Sequence, residues 1–167
     1  IVGDYDIDGV CSTYLLYKGL KRLGAAVDYE IPDRIKDGYG INIQIVEAAA
    51  EDNIDTILTC DNGISAIDQM KRARELGMTV IVTDHHDIVK VGEEDVLPEA
   101  DAIVNPKQSA DTYPWKEICG GMVAYKLIQI LYEKAGIDRE EWLAMIEFAA
   151  IATVGDVMKL QDENRIV

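Results

Sequence analysis

Carboxylates occur at three points of the sequence, each directly after a short apolar run, and two histidines accompany the third. Carboxylates held close together repel one another and raise each other's pKa, and a bound cation relieves that repulsion. Oxygen ligands joined by one imidazole suit Mn²⁺ or Mg²⁺ better than a metal that prefers thiolates. The sequence therefore predicts a divalent-metal site. Its candidate residues are Asp4, Asp6, Asp8, Asp61, Asp84, His85 and His86, with Asp156 as a further candidate.

Two such ions, about 3.5–4 Å apart, would form the arrangement that supports in-line displacement at phosphorus, with one carboxylate bridging them. Ordinary structural roles exist for some of these residues. Asp61-Asn62-Gly63 is also common turn chemistry, and Asp84 could cap a helix. His85 and His86 are the only histidines of the chain. Because they are adjacent at a predicted strand end, the pattern favours a function for them.

Alternating apolar runs and helical patterns predict the fold that would position these side chains. Such alternation is typical of a parallel sheet with crossover helices, in which ligands bind beyond the carboxyl ends of the strands. We predict one α/β domain over residues 1–167, with a parallel sheet of about five strands, helices on both faces and a helical C-terminal third. The predicted strands are 1–3, 27–31, 56–60, 79–83 and 102–104, and the predicted helices are 10–23, 41–50, 65–76, 121–134 and 140–153.

Composition limits the partners of the chain. Its 31 acidic and 16 basic residues give a net charge of -15, whereas nucleic-acid binders gain most of their affinity from basic residues. We expect this chain alone to bind nucleic acid weakly. An 18-residue apolar stretch is absent, so no membrane association is expected. Three widely spaced cysteines favour neither disulfides nor a zinc site, and a cytoplasmic location is expected. They are Cys11, Cys60 and Cys119.

Four motifs resemble, in order and spacing, those of the DHH phosphoesterase superfamily. They are Asp4-Tyr5-Asp6-Ile7-Asp8-Gly9, Asp61-Asn62-Gly63-Ile64, Asp84-His85-His86 and Gly155-Asp156. Flanking segments are similar to those of RecJ-type single-strand exonucleases. These segments are Ile31-Pro32-Asp33-Arg34, Gly38-Tyr39-Gly40, Ala102-Ile103-Val104-Asn105-Pro106 and the stretch from Cys119 to Leu127. The resemblance covers nearly the whole chain.

The resemblance implies two bound ions, Mn²⁺ or Mg²⁺, that share Asp61 as a bridging ligand. It assigns His86 to the scissile phosphate and Asp84 to orienting the histidines, and it makes Arg34 a substrate contact. The implied ligands of the first ion are Asp4, Asp6 and Asp61. Those of the second ion are Asp8, Asp61, His85 and Asp156.

The activity implied by the resemblance is a 5′→3′ exonuclease on single-stranded DNA that releases 5′-mononucleotides. A metal-activated water would attack phosphorus in line, without a covalent intermediate. The family also has a second domain with a glycine-rich substrate-binding motif, which this sequence lacks. We therefore expect the chain to be a fragment, whose single-stranded DNA partner is held largely by the full-length protein, and the fragment alone could be inactive.

Three alternatives stay open. Sister enzymes of the superfamily cleave oligoribonucleotides, cyclic dinucleotides or nucleotide bisphosphates. The sequence Asp6-Ile7-Asp8 also resembles the opening motif of haloacid-dehalogenase-type phosphatases, in which Asp6 would be a nucleophile. That reading leaves the histidines without a role, and the acid expected four residues after Asp156 is Leu160. Finally, some relatives are replication scaffolds that have lost metal ligands, although every ligand type is present here.

Overall fold

A parallel sheet forms the centre of the protein, and the computed structural model describes residues 1–36 and 38–167. Its strands lie in the order β1 (Thr56–Cys60), β2 (Thr79–Thr83) and β5 (Ala102–Val104). The prediction of about five strands is wrong. Val2 makes only isolated parallel bridges, to Thr59 and to Glu30. The segments 1–3 and 27–31 thus reach the sheet, but each pairs through one residue, because the chain turns into the acidic loop directly after Gly3.

Side-chain alternation along β1 divides the core into two layers. Ile57 packs on one face of the sheet, in a cluster with Val80 and Val82 of β2. Leu58 and Cys60 point to the other face, into a second and larger cluster. Both faces of a strand are buried in this way when helices cover both sides of a parallel sheet. The predicted helices on both faces are therefore confirmed.

Helices cover the two faces unequally. On one face α2 (Ile43–Glu51) packs against α3 (Ile67–Glu75). On the other, α1 (Ile7–Arg22), α4 (Gly120–Ala135) and α6 (Ile146–Gly155) pack together. Among the residues that the structure describes, no helix combines the length and the apolar character needed to cross a membrane.

The C-terminal third is helical, as predicted, but its helices divide differently. The single helix predicted over 140–153 is interrupted, and α5 (Arg139–Leu143) ends before α6 begins. The interruption places both Trp142 and Met145 in the core beside α4. A short helix, α7 (Glu163–Ile166), follows.

A small hairpin escaped the sequence analysis. Its strands are β3 (Lys90–Val91) and β4 (Glu94–Asp95), which pair with each other and not with the central sheet. Val91 is 72% exposed. Because the hairpin contributes no strand to the core, it has no hydrophobic periodicity that would reveal it.

Candidate metal centre

The carboxyl ends of adjacent strands meet at one edge of the sheet and bring the acidic motifs together. Asp4 follows the Val2 bridges, Asp61 follows β1, and Asp84 and His85 follow β2. All four side chains are buried, with Asp4, Asp61 and Asp84 1% exposed and His85 5%. Charged groups buried to this extent require partners, so the contacts of each one define what the site can do.

His85 faces three carboxylates through a single ring nitrogen. Its Nε2 lies 3.1 Å from Asp61 Oδ1, 3.4 Å from Asp8 Oδ2 and 3.6 Å from Asp156 Oδ2. Burial lowers the pKa of His85, which favours a neutral ring with one free lone pair. Neither ring nitrogen has a hydrogen-bond partner within the described part of the chain. A neutral imidazole and three carboxylates in this arrangement fit the ligand preferences of a divalent cation.

A second group of carboxylates adjoins the first. Asp4, Asp6 and Asp61 each offer one oxygen, and these oxygens lie within 4.8 Å of one another. Both oxygens of Asp4 and Oδ1 of Asp61 are buried without a hydrogen bond to any described residue. Asp6 is exposed and also caps α1, where its Oδ1 accepts a hydrogen bond from Gly9 N at 2.9 Å. Its other oxygen is then available to a cation at the mouth of the site.

Asp61 belongs to both groups. Burial, followed by the charges of Asp8 and Asp6, raises the pKa of Asp61 well above its ordinary value. Burial likewise raises the pKa of Asp4 and of Asp156. Buried polar atoms are rarely left unpaired, and these oxygens face one another, so the residues present fit two hard cations with Asp61 between them. Asp61, His85 and His86 form a further set of suitable spacing, so the geometry leaves the role of His86 open.

Asp84 is fully engaged in hydrogen bonds rather than facing the cluster. Its Oδ1 accepts from His85 N at 2.7 Å and from His86 Nδ1 at 2.7 Å, while Oδ2 accepts from Ile64 N at 2.9 Å. Burial alone would raise the pKa of Asp84, but the bonds from His86 and from backbone amides outweigh it and lower the pKa. The same contact raises the pKa of His86. Asp84 therefore orients the His86 ring and favours its cationic form.

Replacing Asp84 with asparagine should weaken catalysis without removing the metals. The amide keeps one acceptor oxygen, so some of the N–H groups now bonded to Asp84 lose their acceptor, and the charge that favours protonated His86 is lost as well. We expect turnover to fall by about 10- to 100-fold, the usual effect of removing such a supporting carboxylate. Steady-state kinetics together with Mn²⁺ titration by calorimetry would check this. Loss of a bound Mn²⁺ in D84N would contradict the assignment, because Asp84 would then behave as a ligand.

Two glycine amides hold Asp8, a contact that sequence analysis missed. Gly120 N donates to Asp8 Oδ2 at 2.7 Å, and Gly121 N donates to Oδ1 at 2.6 Å. Both amides lie at the N-terminus of α4, where unpaired N–H groups and the helix dipole favour a negative charge. The only sequence signal was the segment from Cys119 to Leu127, which the family resemblance singled out without giving it a role.

The glycines are required because α4 begins against the acidic residues. A Cβ on Gly120 would lie 2.8 Å from both Cβ and Oδ1 of Asp61. We therefore expect G120A to displace the Asp61 carboxylate and to weaken Mn²⁺ binding at least tenfold, in line with misplaced ligands elsewhere. Calorimetric titration would measure this. Lys134→Ala, at an exposed position of the same helix, serves as the control, and unchanged Mn²⁺ affinity in G120A would contradict the close approach.

Two further residues lie at the mouth of the site. The Tyr39 hydroxyl donates to the Asp61 carbonyl at 3.1 Å and lies 3.0 Å from His86 Nε2, a role the sequence did not reveal. Burial, then the charges of Asp61 and Asp84, raises the pKa of Tyr39, so the hydroxyl keeps its proton. Arg34, the predicted substrate contact, is not part of the acidic cluster. Its guanidinium lies over the ring of Tyr5, 5.4 Å from the ring centre.

The chain is similar to known proteins along its whole length. Residues 1–155 match the DHH family, N-terminal domain. The chain is 44% identical over its whole length to the single-stranded-DNA-specific exonuclease RecJ of Bacillus subtilis and covers 20% of that protein. It is 36% identical to RecJ of Escherichia coli, again over the whole chain, and covers 30% of it. The chain thus spans less than a third of the length of these relatives.

Solved structures give the same result. A crystal structure of exonuclease RecJ bound to manganese superimposes with a TM-score of 0.86 at 35% identity, over 99% of this chain and 40% of that one. RecJ of Thermus thermophilus in complex with Mn²⁺ gives a TM-score of 0.76 at 33% identity, over 98% of this chain and 22% of that one. The match to the family over residues 1–155, with its motifs at the strand ends, means that the chain belongs to the DHH family.

Proposed function

We propose that this chain is the metal-binding domain of a phosphodiesterase that digests single-stranded DNA from the 5′ end and uses two Mn²⁺ or Mg²⁺ ions. One observation carries the proposal. Both carboxylate oxygens of Asp4, Oδ1 of Asp61 and both ring nitrogens of His85 are buried without hydrogen-bond partners among the described residues, and Asp61 lies close to each of the other two side chains. This arrangement occurs in a chain 44% identical along its whole length to a single-stranded-DNA-specific exonuclease.

The proposed ligands divide into two sets that share Asp61. Asp4 and Asp6 complete the first set, and the second set adds Asp8, His85 and Asp156. When bound, the two ions supply a water of lowered pKa and neutralise charge on the phosphate. No separate protein base is needed for that chemistry. The carboxylates and His85 keep the ions at fixed positions, and the hydrogen bonds of Asp8 to α4 keep one of those carboxylates in place.

His86 is proposed to act on the phosphate. Its side chain is 43% exposed at the mouth of the site, unlike that of His85. Because Asp84 raises its pKa, the ring is a cationic donor suited to the charge that accumulates on phosphoryl oxygens as the ester bond breaks. Asp84 and His86 therefore act together, one orienting and one contacting substrate. Arg34, whose guanidinium lies over the ring of Tyr5, is proposed to contact a phosphate farther along the DNA strand.

Affinity for DNA is proposed to come mainly from parts of a longer protein. This chain carries a net charge of -15, and bound divalent ions reverse the field only locally. It also spans only 20–30% of the two curated relatives described above. We accordingly propose weak DNA binding by the chain alone. A cytoplasmic location, consistent with three buried free thiols, and a role in DNA repair and recombination complete the proposal.

The other candidate functions are less well supported. The same metal centre would also suit oligoribonucleotides, cyclic dinucleotides and nucleotide bisphosphates. Single-stranded DNA is favoured over these substrates only by the similarity to the relatives. A phosphatase with Asp6 as nucleophile would leave buried Asp61 and His85 without a function. A scaffold without activity would not need to retain unpaired buried ligand atoms.

The experiment that tests the proposal uses the full-length protein with Mn²⁺ and end-labelled substrates side by side. We expect 5′-phosphorylated single-stranded DNA to yield mononucleotides from its 5′ end, with RNA and cyclic dinucleotides cleaved much more slowly. Preferential cleavage of either of those would replace the DNA proposal with a sister activity. A phosphorylated Asp6 trapped after acid quench would instead support the phosphatase, and no cleavage of any substrate would support the scaffold.

Metal soaking tests the ligand sets separately from the substrate. Crystals soaked in Mn²⁺ should give two anomalous peaks, one near Asp4 and Asp6 and one near Asp8 and His85, with Asp61 touching both. A single peak beside Asp6 and Asp8 would contradict the two-metal assignment and favour the phosphatase.

A further inference from the structure

Tyr39 connects two parts of the site that come from different strands. Its hydroxyl donates to the carbonyl of Asp61, which follows β1, at 3.1 Å. The same oxygen lies 3.0 Å from Nε2 and 3.3 Å from Nδ1 of His86, which follows β2. The side chain as a whole is 52% exposed. Because half of the Tyr39 side chain is exposed, its position depends on the contacts of its hydroxyl with the site rather than on burial.

We propose that Tyr39 is a positioning residue for hydrolysis, whose hydroxyl fixes His86 relative to Asp61 and thereby places the imidazole against the scissile phosphate. This inference rests on the proposed phosphodiesterase activity and adds a residue to its site. Tyr39 acts through His86 and is not itself proposed to contact the reacting atoms.

The hydrogen-bonding capacity of the three groups supports this role. The hydroxyl has one proton, which it donates to the Asp61 carbonyl, so its lone pairs remain free to accept a hydrogen bond. His86 Nδ1 is already bonded to Asp84 Oδ1 at 2.7 Å. The Tyr39 oxygen lies almost equally far from both ring nitrogens, so it contacts the ring itself rather than the Nε2–H bond, and Nε2 remains free to donate to a phosphoryl oxygen. The ring is thus held from both sides, by Asp84 and by Tyr39.

The backbone at Asp61 makes the contact specific. Asp61 has φ 60°, in the left-handed region that side-chain-bearing residues seldom adopt. This conformation lets the Asp61 side chain join the acidic cluster while its carbonyl oxygen accepts from Tyr39. A single hydroxyl therefore couples the backbone of the proposed bridging ligand to the proposed phosphate contact, and a shift of either one would move the other.

A different role for the ring is separable from that of the hydroxyl. The Tyr39 ring meets His86 edge-on at 5.7 Å and 81°, and it meets Tyr5 at 6.4 Å and 89°. An exposed aromatic ring could stack on a DNA base, in which case it would contribute to binding rather than to turnover. Replacing Tyr39 with phenylalanine keeps the ring and removes only the hydroxyl. A change in kcat would then report the role of the hydroxyl, and a change in KM would report base stacking by the ring.

The test uses the full-length protein with Mn²⁺ and both 5′-phosphorylated single-stranded DNA and bis(p-nitrophenyl) phosphate. For Tyr39→Phe we expect kcat to fall about tenfold or more on both substrates, within the range for loss of a group that supports a catalytic histidine. KM should change by less than about twofold, because the contacts that bind substrate and transition state equally are retained. Two Mn²⁺ should still bind. Tyr29→Phe, at a tyrosine 50% exposed away from the site, should match the wild type.

A double-mutant cycle with His86→Ala provides the decisive readout. If Tyr39 acts through His86, then adding Tyr39→Phe to His86→Ala should lower kcat by less than about twofold further. Independent, multiplying effects would overturn the proposal, as would an unchanged kcat in Tyr39→Phe. A raised KM on DNA with unchanged kcat would assign Tyr39 to base stacking instead. If wild type cleaves only the small ester, the DNA proposal fails while the inference about Tyr39 is still tested.

Discussion

Asp61→Asn in the full-length protein should lower Mn²⁺-dependent turnover by at least about 10³-fold, comparable to losing a main electrostatic group of an active site. Among the described residues, its side chain alone belongs to both the Asp4–Asp6 group and the set of suitable spacing with His85 and His86. Asparagine keeps the shape but loses the charge and one oxygen ligand. Residue 61 can then no longer bridge the two ions, and the binding of both is weakened. Steady-state kinetics and calorimetric Mn²⁺ titration measure the two losses.

The same substitution should have the opposite effect on the metal-free chain. Burial and neighbouring charges raise the pKa of Asp61, so the folded state keeps a proton that the unfolded state releases above a pKa of about 3.9. Stability then falls as pH rises above that value, because the folded state binds more protons. Asparagine removes this term. The free energy of unfolding of D61N should therefore exceed that of wild type by a margin that grows with pH, on the order of 1 kcal/mol per unit of raised pKa.

A matched control separates charge from position. Asp87→Asn removes the same charge one residue after His86, from a side chain that is 93% exposed and paired with Lys107. Its turnover and its unfolding should follow the wild type closely. If D61N retained near-normal turnover, the bridging assignment would be refuted. If the pH dependence of unfolding were identical in D61N and wild type, Asp61 would not be the residue that holds the proton.

The clustering of the acidic side chains followed from sequence because it depends on a general property of parallel sheets. Asp61 and Asp84 each follow a five-residue apolar strand, and the carboxyl ends of adjacent parallel strands lie side by side. Knowing the two strands was sufficient to place these residues together. Asp4 was placed by the same argument, even though its strand proved to be a single bridged residue. The error in strand number therefore did not affect the predicted site.

Contacts between distant segments were not predictable in this way. Asp8 and Gly120 are 112 residues apart, and nothing in their local sequences indicates that an amide will meet a carboxylate. The Tyr39 hydroxyl reaches Asp61 and His86 across 22 and 47 residues from a loop without periodicity. Such contacts depend on how α4 and the loop pack onto the sheet, and that packing is set by the core as a whole rather than by a local pattern.

Asp8→Asn should destabilise the metal-free chain, in contrast to Asp61→Asn. Asp8 is 1% exposed, and its two oxygens accept hydrogen bonds from the first two amides of α4. Asparagine offers one oxygen, and its NH₂ group would face the second amide, donor against donor. Leaving a buried donor unpaired costs about 1–3 kcal/mol, and the lost charge at the helix N-terminus adds about 0.3–1 kcal/mol. Denaturant unfolding of the 167-residue chain would measure the sum.

Asp138→Asn is the matched control, because Asp138 also accepts a backbone hydrogen bond at a helix start but is exposed, at α5. Asparagine caps helices as well as aspartate does, so this variant should unfold like the wild type. Equal stabilities of D8N and wild type would mean that the α4 amides do not depend on Asp8. The two site variants then form a pair. Both lose Mn²⁺-dependent turnover, but without metal one gains stability and the other loses it. Asp61 keeps a proton in the folded state, where its Oδ1 has no hydrogen-bond donor among the described residues, whereas the two oxygens of Asp8 accept hydrogen bonds from two buried amides.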